Sequence, residues 1–136
     1  MAIVRDFRDL HVYQQAFAAA QRIYELIKRF PADERYSLTD QARRASRSVC
    51  TNIGEAWRKR RYPAAFVSKL SDADAEATET TIWLDFALSF GFLKLLDHDD
   101  VLDLYDQINR QLFKMMDRPQ DWCNTMRKPS KVERDS

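Results

Sequence analysis

The sequence predicts an all-α fold, an antiparallel up-down-up-down bundle of four helices. Apolar residues recur at helical spacing in four segments, and no segment shows the alternation of a strand. The only glycines are Gly54 and Gly91, which argues against a barrel or sandwich, whose turns and bulges draw on glycine. Short connections between long helices favour antiparallel neighbours. We expect one domain over residues 1–117 and a loosely held polar tail over residues 118–136.

The first helix is predicted to begin after a cap at Asp9 and to run to about Phe30. Pro31 would end it, because the residue before a proline is pushed out of the α region. The residues expected on its buried face share a helical repeat. They are Tyr13, Phe17, Ala20, Tyr24 and Ile27, widened by Ala16 and Ile23.

The second helix is predicted from a cap at Ser37, with Asp40 three positions on as in a near capping box, to about Arg60. Tyr62 and Pro63 would then end it and open the third helix, with proline at a tolerated first position. The second helix carries an unbroken stripe of apolar residues expected in the core. These are Leu38, Ala42, Ala45, Val49, Ile53 and Ala56.

The third helix is predicted from Pro63 to about Phe90, with Gly91 as its stop. Its buried residues are expected to be Phe66, Leu70, Ala73, Ala77, Thr80, Leu84 and Ala87. Residues 97–100, Asp-His-Asp-Asp, resemble a cap for a fourth helix that ends near Asp117. Its core residues are expected to be Val101, Leu104, Tyr105, Ile108, Leu112 and Met115.

Arginines gather on the side of the second helix nearly opposite its apolar stripe, with Gly54 among them. We call this set the basic ridge, and with the neighbouring lysine it comprises Arg43, Arg47, Arg58, Lys59 and Arg61. Converging guanidinium groups can bind phosphate oxygens with paired hydrogen bonds, so the ridge is a candidate nucleic-acid surface. The alternative is a solvated or salt-bridged helix face. Nearby aromatic residues are limited to Trp57 and Tyr62, which gives weak support for stacking on single strands, and nothing indicates base-specific reading.

Between the ridge and the stripe lies a polar strip that comprises Gln41, Arg44, Ser48, Asn52 and Glu55. It has no histidine or second acid at helical spacing and no activated nucleophile, so a hydrogen-bonded seam between helices or subunits is favoured over catalysis. Trp83, Phe86 and Phe90 form a second apolar edge on the third helix; we expect them mostly in the core, with one edge free for another subunit. The residues predicted at a subunit interface are Gln41, Arg44, Asn52, Glu55 and Trp83.

Charge is divided unevenly along the chain: residues 1–61 hold thirteen Lys/Arg and seven Asp/Glu, and residues 62–117 hold four and eleven. These halves could neutralise each other within a bundle or between subunits. The third helix carries an acidic stripe of Asp72, Glu76 and Glu79, but neither histidine stands at the Glu-x-x-His spacing of a di-iron bundle. We therefore predict no catalytic residue, metal or cofactor, and no enzymatic activity.

The cysteines and the apolar segments indicate neither a disulfide framework nor a membrane span. Cys50 and Cys123 cannot make a disulfide framework, and Cys50 is expected to be a small buried apolar residue. No apolar run suits a signal peptide or a membrane span. The expected location is the cytoplasm.

Several short patterns in the chain resemble those of a known family. They are Phe7-x-x-Leu10-x-Val12, Phe30-Pro31 with Glu34 and Leu38, Gln41-x-Arg43-Arg44-Ala45, Asn52-Ile53-x-Glu55, Leu70 and Glu79. To about Met116, the chain resembles the four-helix-bundle proteins encoded in intervening sequences of bacterial 23S ribosomal RNA, to which accessory proteins of diversity-generating retroelements look related. Ala56 departs from a common glycine, and residues 74–77 depart from a common Gly-Ser.

The resemblance implies a cytoplasmic, ring-like homopentamer with no established enzymatic activity. Its retroelement relatives are associated with nucleic acid and a reverse transcriptase through basic surfaces. Two hypotheses follow. In the first, a non-enzymatic oligomer binds RNA, DNA or a nucleic-acid-bound partner through the second helix. In the second, the oligomer is purely structural, and its basic second helix pairs with the acidic third helix of a neighbouring subunit.

Overall fold

The computed structural model describes residues 4–123, and four α-helices account for most of that range. The helices are α1 (His11–Ile27), α2 (Leu38–Arg58), α3 (Pro63–Ser89) and α4 (Leu95–Asp117). Three short 3₁₀ turns flank them, at Phe7–Asp9, Ala32–Glu34 and Pro119–Asp121. No strand occurs in this part of the chain, so the all-α prediction is confirmed.

Side-chain bonds between the helices show how they run. His98 Nε2 near the start of α4 lies 2.8 Å from Asp85 Oδ1 near the end of α3. Asn109, a further three turns along α4, donates to the Asp74 carbonyl at 3.2 Å. One helix therefore ascends as the other descends. Each helix packs against its two neighbours in a closed order, α1–α2–α3–α4.

The same reversal holds for α1 and α4. Arg22 Nη2 in the second half of α1 lies 2.7 Å from Asp97 Oδ1 in the first turn of α4. Gln15, in the first half of α1, accepts a hydrogen bond from Gln111 in the second half of α4. These contacts, with the short α2–α3 connection, give the up-down-up-down arrangement that short loops favour.

Three of the predicted caps are wrong. Asp9 does not cap α1; it completes a capping box around the preceding turn, where its Oδ2 accepts from the Asp6 amide at 3.2 Å. The Ser37 side chain makes no cap bond, and Glu34 Oε2 accepts from the first amide of α2 instead, at 3.1 Å. Helix α4 begins at Leu95 rather than after residues 97–100, so Asp97 and His98 lie inside the helix and contact α1 and α3.

The core is built from one face of each helix. The stripes predicted for the second and third helices are all buried, and so are those of the fourth except Leu104, which is half-buried. The stripe predicted for the first helix is wrong at Phe17 and Tyr24, whereas Tyr13 and Ala20 are partly buried against the core. The buried residues of this helix are Val12, Ala16, Ala19, Ile23, Leu26 and Ile27, while the side chains of Phe17 and Tyr24 are each 50% exposed.

The wrong stripe has a simple physical cause. Helix α1 is apolar on two neighbouring faces, and both repeat with the helical period. Ala16 and Ala19 are fully buried, because alanine lets the backbone of α1 approach the other helices closely while bulkier rings on the next face stay outside. The periodicity alone could not choose between the two faces.

Gly91 ends α3 as predicted, with a φ of 80° in the left-handed region. Its amide donates to the Leu88 carbonyl at 3.1 Å and the next amide, of Phe92, donates to the Ala87 carbonyl at 2.8 Å. This pair of bonds is the Schellman pattern, which glycine favours because it has no Cβ. Beyond α4, the start of the predicted tail turns back and buries Cys123 against the bundle; residues 124–136 lie outside the described range.

Candidate nucleic-acid interface

A groove runs along the surface where α1 meets α2. It consists of two adjoining hollows of about 590 and 430 Å³ that share Tyr13, Cys50 and Thr51 in their linings. We call it the aromatic groove. Its walls and floor are Phe7, Tyr13, Phe17, Tyr24, Cys50, Thr51 and Gly54.

The rings of the groove form a continuous row. The ring centroids of Phe7 and Tyr13 are 5.0 Å apart with the planes at 73°, and those of Tyr13 and Phe17 are 6.1 Å apart at 33°. Tyr24 continues the wall of the larger hollow. Because the ring planes differ in tilt, the row forms an uneven apolar surface. The Arg8 guanidinium lies over the Phe7 ring at 4.3 Å from the centroid, and Lys28 Nζ lies over the Tyr24 ring at 4.4 Å.

Three cations of α2 stand at the groove. Arg47 lines the larger hollow, and Arg58 and Lys59 line the smaller one. All three are exposed, and within residues 4–123 none of them forms an ion pair. Glu55 also lines the smaller hollow, but its Oε2 lies 2.9 Å from Lys69 Nζ. The groove therefore carries positive charge that no acid of residues 4–123 neutralises in an ion pair.

The other members of the basic ridge lie apart from the groove. Arg43 is half-buried and its Nη1 lies 3.3 Å from Asp40 Oδ1. Its charge is therefore partly neutralised by an acid of the same helix. Arg61 is exposed in the connection after the end of α2 rather than on the helix. The structure thus brings Arg47, Arg58 and Lys59 to one groove and leaves the other two outside it.

The aromatic residues expected beside the ridge are not at the groove. Trp57 is buried, and the Arg60 guanidinium covers its ring at 3.4 Å from the centroid. Arg60 Nε also donates to the Trp57 carbonyl at 2.8 Å. Trp57 is therefore not available for stacking, contrary to expectation, and Tyr62 is exposed elsewhere. The rings at the groove are instead Phe7 of the turn before α1 and Tyr13, Phe17 and Tyr24 of α1. The helical period predicts the three α1 rings in the core.

The polar strip lies on the side of α2 that faces α3. The Glu55–Lys69 ion pair connects the two helices there, and this bond raises the pKa of Lys69. Asn52 donates to the Ser48 carbonyl at 2.9 Å, within its own helix. Gln41 and Arg44 are exposed, and Arg44 Nε lies 2.9 Å from an Asp40 carboxylate oxygen. In the described chain, Glu55 is therefore the one residue of the strip with a side-chain bond to another helix.

The aromatic edge of α3 is exposed rather than mostly buried, which corrects the prediction that it belongs to the core. Trp83 is half-buried, whereas Phe86 and Phe90 are 46% and 55% exposed. The rings are contiguous: the Trp83–Phe86 centroids are 6.1 Å apart and the Phe86–Phe90 centroids 5.7 Å. The face of α3 that packs on the other helices is already filled by its buried stripe, from Phe66 to Ala87. The second apolar edge therefore stays on the surface.

The acids of α3 have an unusual environment. Burial, then the neighbouring charges of Glu79 and Asp72, raise the pKa of Glu76 above its ordinary value. No cation lies within ion-pair distance of these three carboxylates in the described part of the chain. The predicted acidic stripe is therefore present on α3 and is not matched by α2 of the same chain.

His98 of α4 is bonded to two carboxylates, one of them on α3. Burial alone would lower its pKa, but bonds to the carboxylates of Asp85 and Asp99, at 2.8 and 3.0 Å, outweigh burial and raise it. Within residues 4–123, no three His, Cys, Asp or Glu side chains are grouped as a metal site. Over the same range, no helix combines the length and apolar character that a membrane span requires.

Comparison with known proteins places the chain in a family. The sequence profile of the 23S rRNA-intervening sequence proteins matches residues 8–114. The chain belongs to the 23S rRNA-intervening sequence protein family. One solved structure similar to this family member is that of a protein with unknown function from the S23 ribosomal protein family of Bacteroides thetaiotaomicron. It is 27% identical, with a TM-score of 0.69, and the match covers 77% of this chain and 97% of that one. No curated protein matches this member of the family.

Proposed function

We propose that this protein is a non-enzymatic oligomer that binds nucleic acid, or a partner already bound to nucleic acid, through the groove side of α2. The observation that carries the proposal is the grouping of Arg47, Arg58 and Lys59 at one groove without acidic partners in the described chain. A surface that binds a phosphate backbone needs exposed cations that are grouped on one side of the protein.

The spacing of the cations suits a polyanion. From Arg47 to Lys59 the helix axis advances by about 18 Å at 1.5 Å per residue. Guanidinium groups can grip phosphate oxygens with two parallel hydrogen bonds. Such contacts fix the position of a strand and carry no sequence information, so binding is expected to be salt-sensitive and weakly selective for sequence.

Self-association belongs to the same proposal. The exposed edge of Phe86 and Phe90, with Trp83 beside it, offers an apolar surface of the kind that subunit contacts bury. The family resemblance supports a homopentamer, and the likeness to accessory proteins of diversity-generating retroelements supports a role beside nucleic acid. A cytoplasmic location fits both.

A second candidate is a purely structural oligomer. In the described chain, no cation lies within ion-pair distance of Asp72, Glu76 or Glu79 of α3, and no acid lies within that distance of the groove cations. A neighbouring subunit could supply the missing charges in both directions. In that case the groove side of α2 would be a subunit contact with no nucleic-acid role.

Charge reversal separates the two candidates. The variant carries Arg47→Glu, Arg58→Glu and Lys59→Glu. Its matched control carries the same number of reversals, Lys94→Glu, Arg110→Glu and Lys114→Glu, at exposed positions at the start of and along α4, which packs mainly on α1 and α3. Light scattering gives the assembly mass, and fluorescence anisotropy with labelled RNA and DNA oligonucleotides gives binding at low and high salt.

Under the proposal, the α2 variant loses salt-sensitive binding at unchanged mass, and the α4 control keeps both properties. Under the structural alternative, the α2 variant dissociates into smaller species. Absence of binding by the unmodified protein at low salt would refute the nucleic-acid role.

A further inference from the structure

We infer that the aromatic groove accepts unpaired nucleotides, so that the ligand is a single strand rather than a duplex. This inference rests on the proposed function and narrows the class of nucleic acid. It is carried by the placement of the exposed rings of α1 directly beside the cations of α2.

Stacking is the interaction that these rings can offer. Phe17 and Tyr24 are each 50% exposed. The Lys28 ammonium lies over one face of Tyr24, 4.4 Å from its centroid, whereas no cation of the described chain lies over Phe17. Every base has a flat π face that can lie on such a ring. In a duplex those faces are already stacked on neighbouring base pairs and are hidden from a protein surface. A groove that bound only duplex phosphates would need the cations and would gain nothing from the rings.

The cations and rings are ordered along the groove. Arg47 shares the larger hollow with Phe17 and Tyr24, whereas Arg58 shares the smaller one with Phe7 and Tyr13. From Arg47 to Arg58 the helix advances by about 16 Å. At about 3.4 Å per phosphate of a stacked strand, this length holds about five nucleotides. Phosphates can therefore meet a cation at either end while bases lie against the rings between them.

Charge favours a nucleic acid over a second copy of this chain as the occupant. A ligand of this groove must neutralise three cations along its length. A single strand supplies one negative charge at every nucleotide, together with flat apolar surface. On α3 of a second copy, the acids Asp72, Glu76 and Glu79 precede the rings from Trp83 to Phe90, so these acids and the rings occupy successive parts of the helix. In the groove, each hollow holds a cation beside rings, which a strand with a phosphate and a base at every nucleotide matches better.

The test compares a labelled ten-nucleotide unpaired strand with a duplex of the same length and sequence. The variants are Phe17→Leu and Tyr24→Leu, which keep an apolar side chain and remove the π face at exposed positions. Phe113→Leu is the matched control, because Phe113 is an exposed aromatic residue on α4, away from the groove. Each protein is titrated by anisotropy, and its mass is measured by light scattering.

The unmodified protein is expected to bind the unpaired strand more tightly than the duplex. Each groove variant should lose about 5- to 100-fold in affinity for the unpaired strand, while its duplex affinity, the salt dependence of its binding and its mass stay unchanged. The Phe113 control should behave as the unmodified protein.

The two proposals fail differently. If the groove variants bind the unpaired strand normally, or the duplex binds equally well, while reversal of the α2 cations abolishes binding, stacking is wrong and the proposed function stands. If no nucleic acid binds at all, the proposed function fails and this inference falls with it. If the groove variants change the assembly mass, a second copy occupies the groove and the inference is overturned.

Discussion

Replacing each of the two glycines by alanine should change stability in opposite directions. Gly54 lies inside α2, where glycine costs about 0.5–1 kcal/mol relative to alanine because its unfolded backbone is freer. A Cβ built at Gly54 would lie 3.6 Å from the Phe7 ring, which is ordinary van der Waals contact. Gly54→Ala should therefore stabilise the protein by about 0.5–1 kcal/mol.

At Gly91 the space is open and the backbone is the obstacle. No atom lies within 4 Å of a Cβ built there, but φ is +80°. An L residue in this left-handed conformation costs about 1–2 kcal/mol, and alanine would gain no contact to offset the strain. Gly91→Ala should destabilise the protein by that amount.

The two variants are compared by thermal unfolding followed by circular dichroism, at one protein concentration because association would shift the midpoint. At roughly 3 °C per kcal/mol for a domain of this size, their midpoints should differ by about 5–9 °C. A loss of stability in Gly54→Ala would refute the described contact between α2 and Phe7. No loss in Gly91→Ala would refute the left-handed cap of α3.

Three further predictions concern the core, His98 and the cysteines. Ile53→Ala, at a fully buried position of α2, should lower the free energy of unfolding by about 2–5 kcal/mol in urea titrations; a loss below that range would mean that the site is not close-packed. Because the pKa of His98 is raised in the folded state, protonation of this side chain stabilises the fold. This stabilisation is complete below 6.5, the ordinary pKa of histidine, and is lost as pH rises through the pKa of the folded state. The free energy of unfolding should therefore fall with rising pH above 6.5, and Asp85→Asn should flatten this fall; an identical pH profile in that variant would contradict the assignment. Burial raises the pKa of the Cys50 thiol to about 11, so mass spectrometry should find it unmodified after iodoacetamide treatment at neutral pH until the protein is unfolded.

The sequence predicts the buried face of a helix well where the helix has a single apolar stripe. In α2 the residues from Leu38 to Ala56 at helical spacing leave no second choice of buried face, and the structure buries them all. In α1 two neighbouring faces are apolar, so Phe17 and Tyr24 were placed inside. The preference for the face with Ala16 and Ala19 depends on how closely α1 approaches the other helices, which periodicity does not contain.

The helix caps could not be predicted for a related reason. A side chain near a helix start has several partners to choose from, and some of them are distant in sequence. Asp97 was expected to cap α4, but Arg22 and Arg29 of α1 lie 2.7 and 3.5 Å from its carboxylate. Glu34, three residues before Ser37, accepts the hydrogen bond from the first amide of α2. A local motif shows which hydrogen bonds and ion pairs a side chain can form, but the packing of the helices determines which of them do form.

The sequence predicts the cations of the candidate site but not the aromatic residues beside them. The cations of α2 stand out because their concentration exceeds what a helix surface needs. Their aromatic neighbours come from another helix, so the groove required the packing of α1 on α2. One signal was available: the residues Val12, Ala16, Ala19, Ile23 and Leu26 form a complete alternative stripe for α1, which would have turned the rings outward.

The central claim is that Arg47, Arg58 and Lys59 hold phosphates directly. Its most direct test is the salt dependence of binding to an unpaired strand, measured for the unmodified protein and for a variant carrying Arg47→Gln, Arg58→Gln and Lys59→Gln. Each phosphate contact on a single strand contributes about 0.7 to the slope of log K against log salt concentration, so the variant's slope should be shallower by about 2. An equal slope for both proteins would contradict the claim.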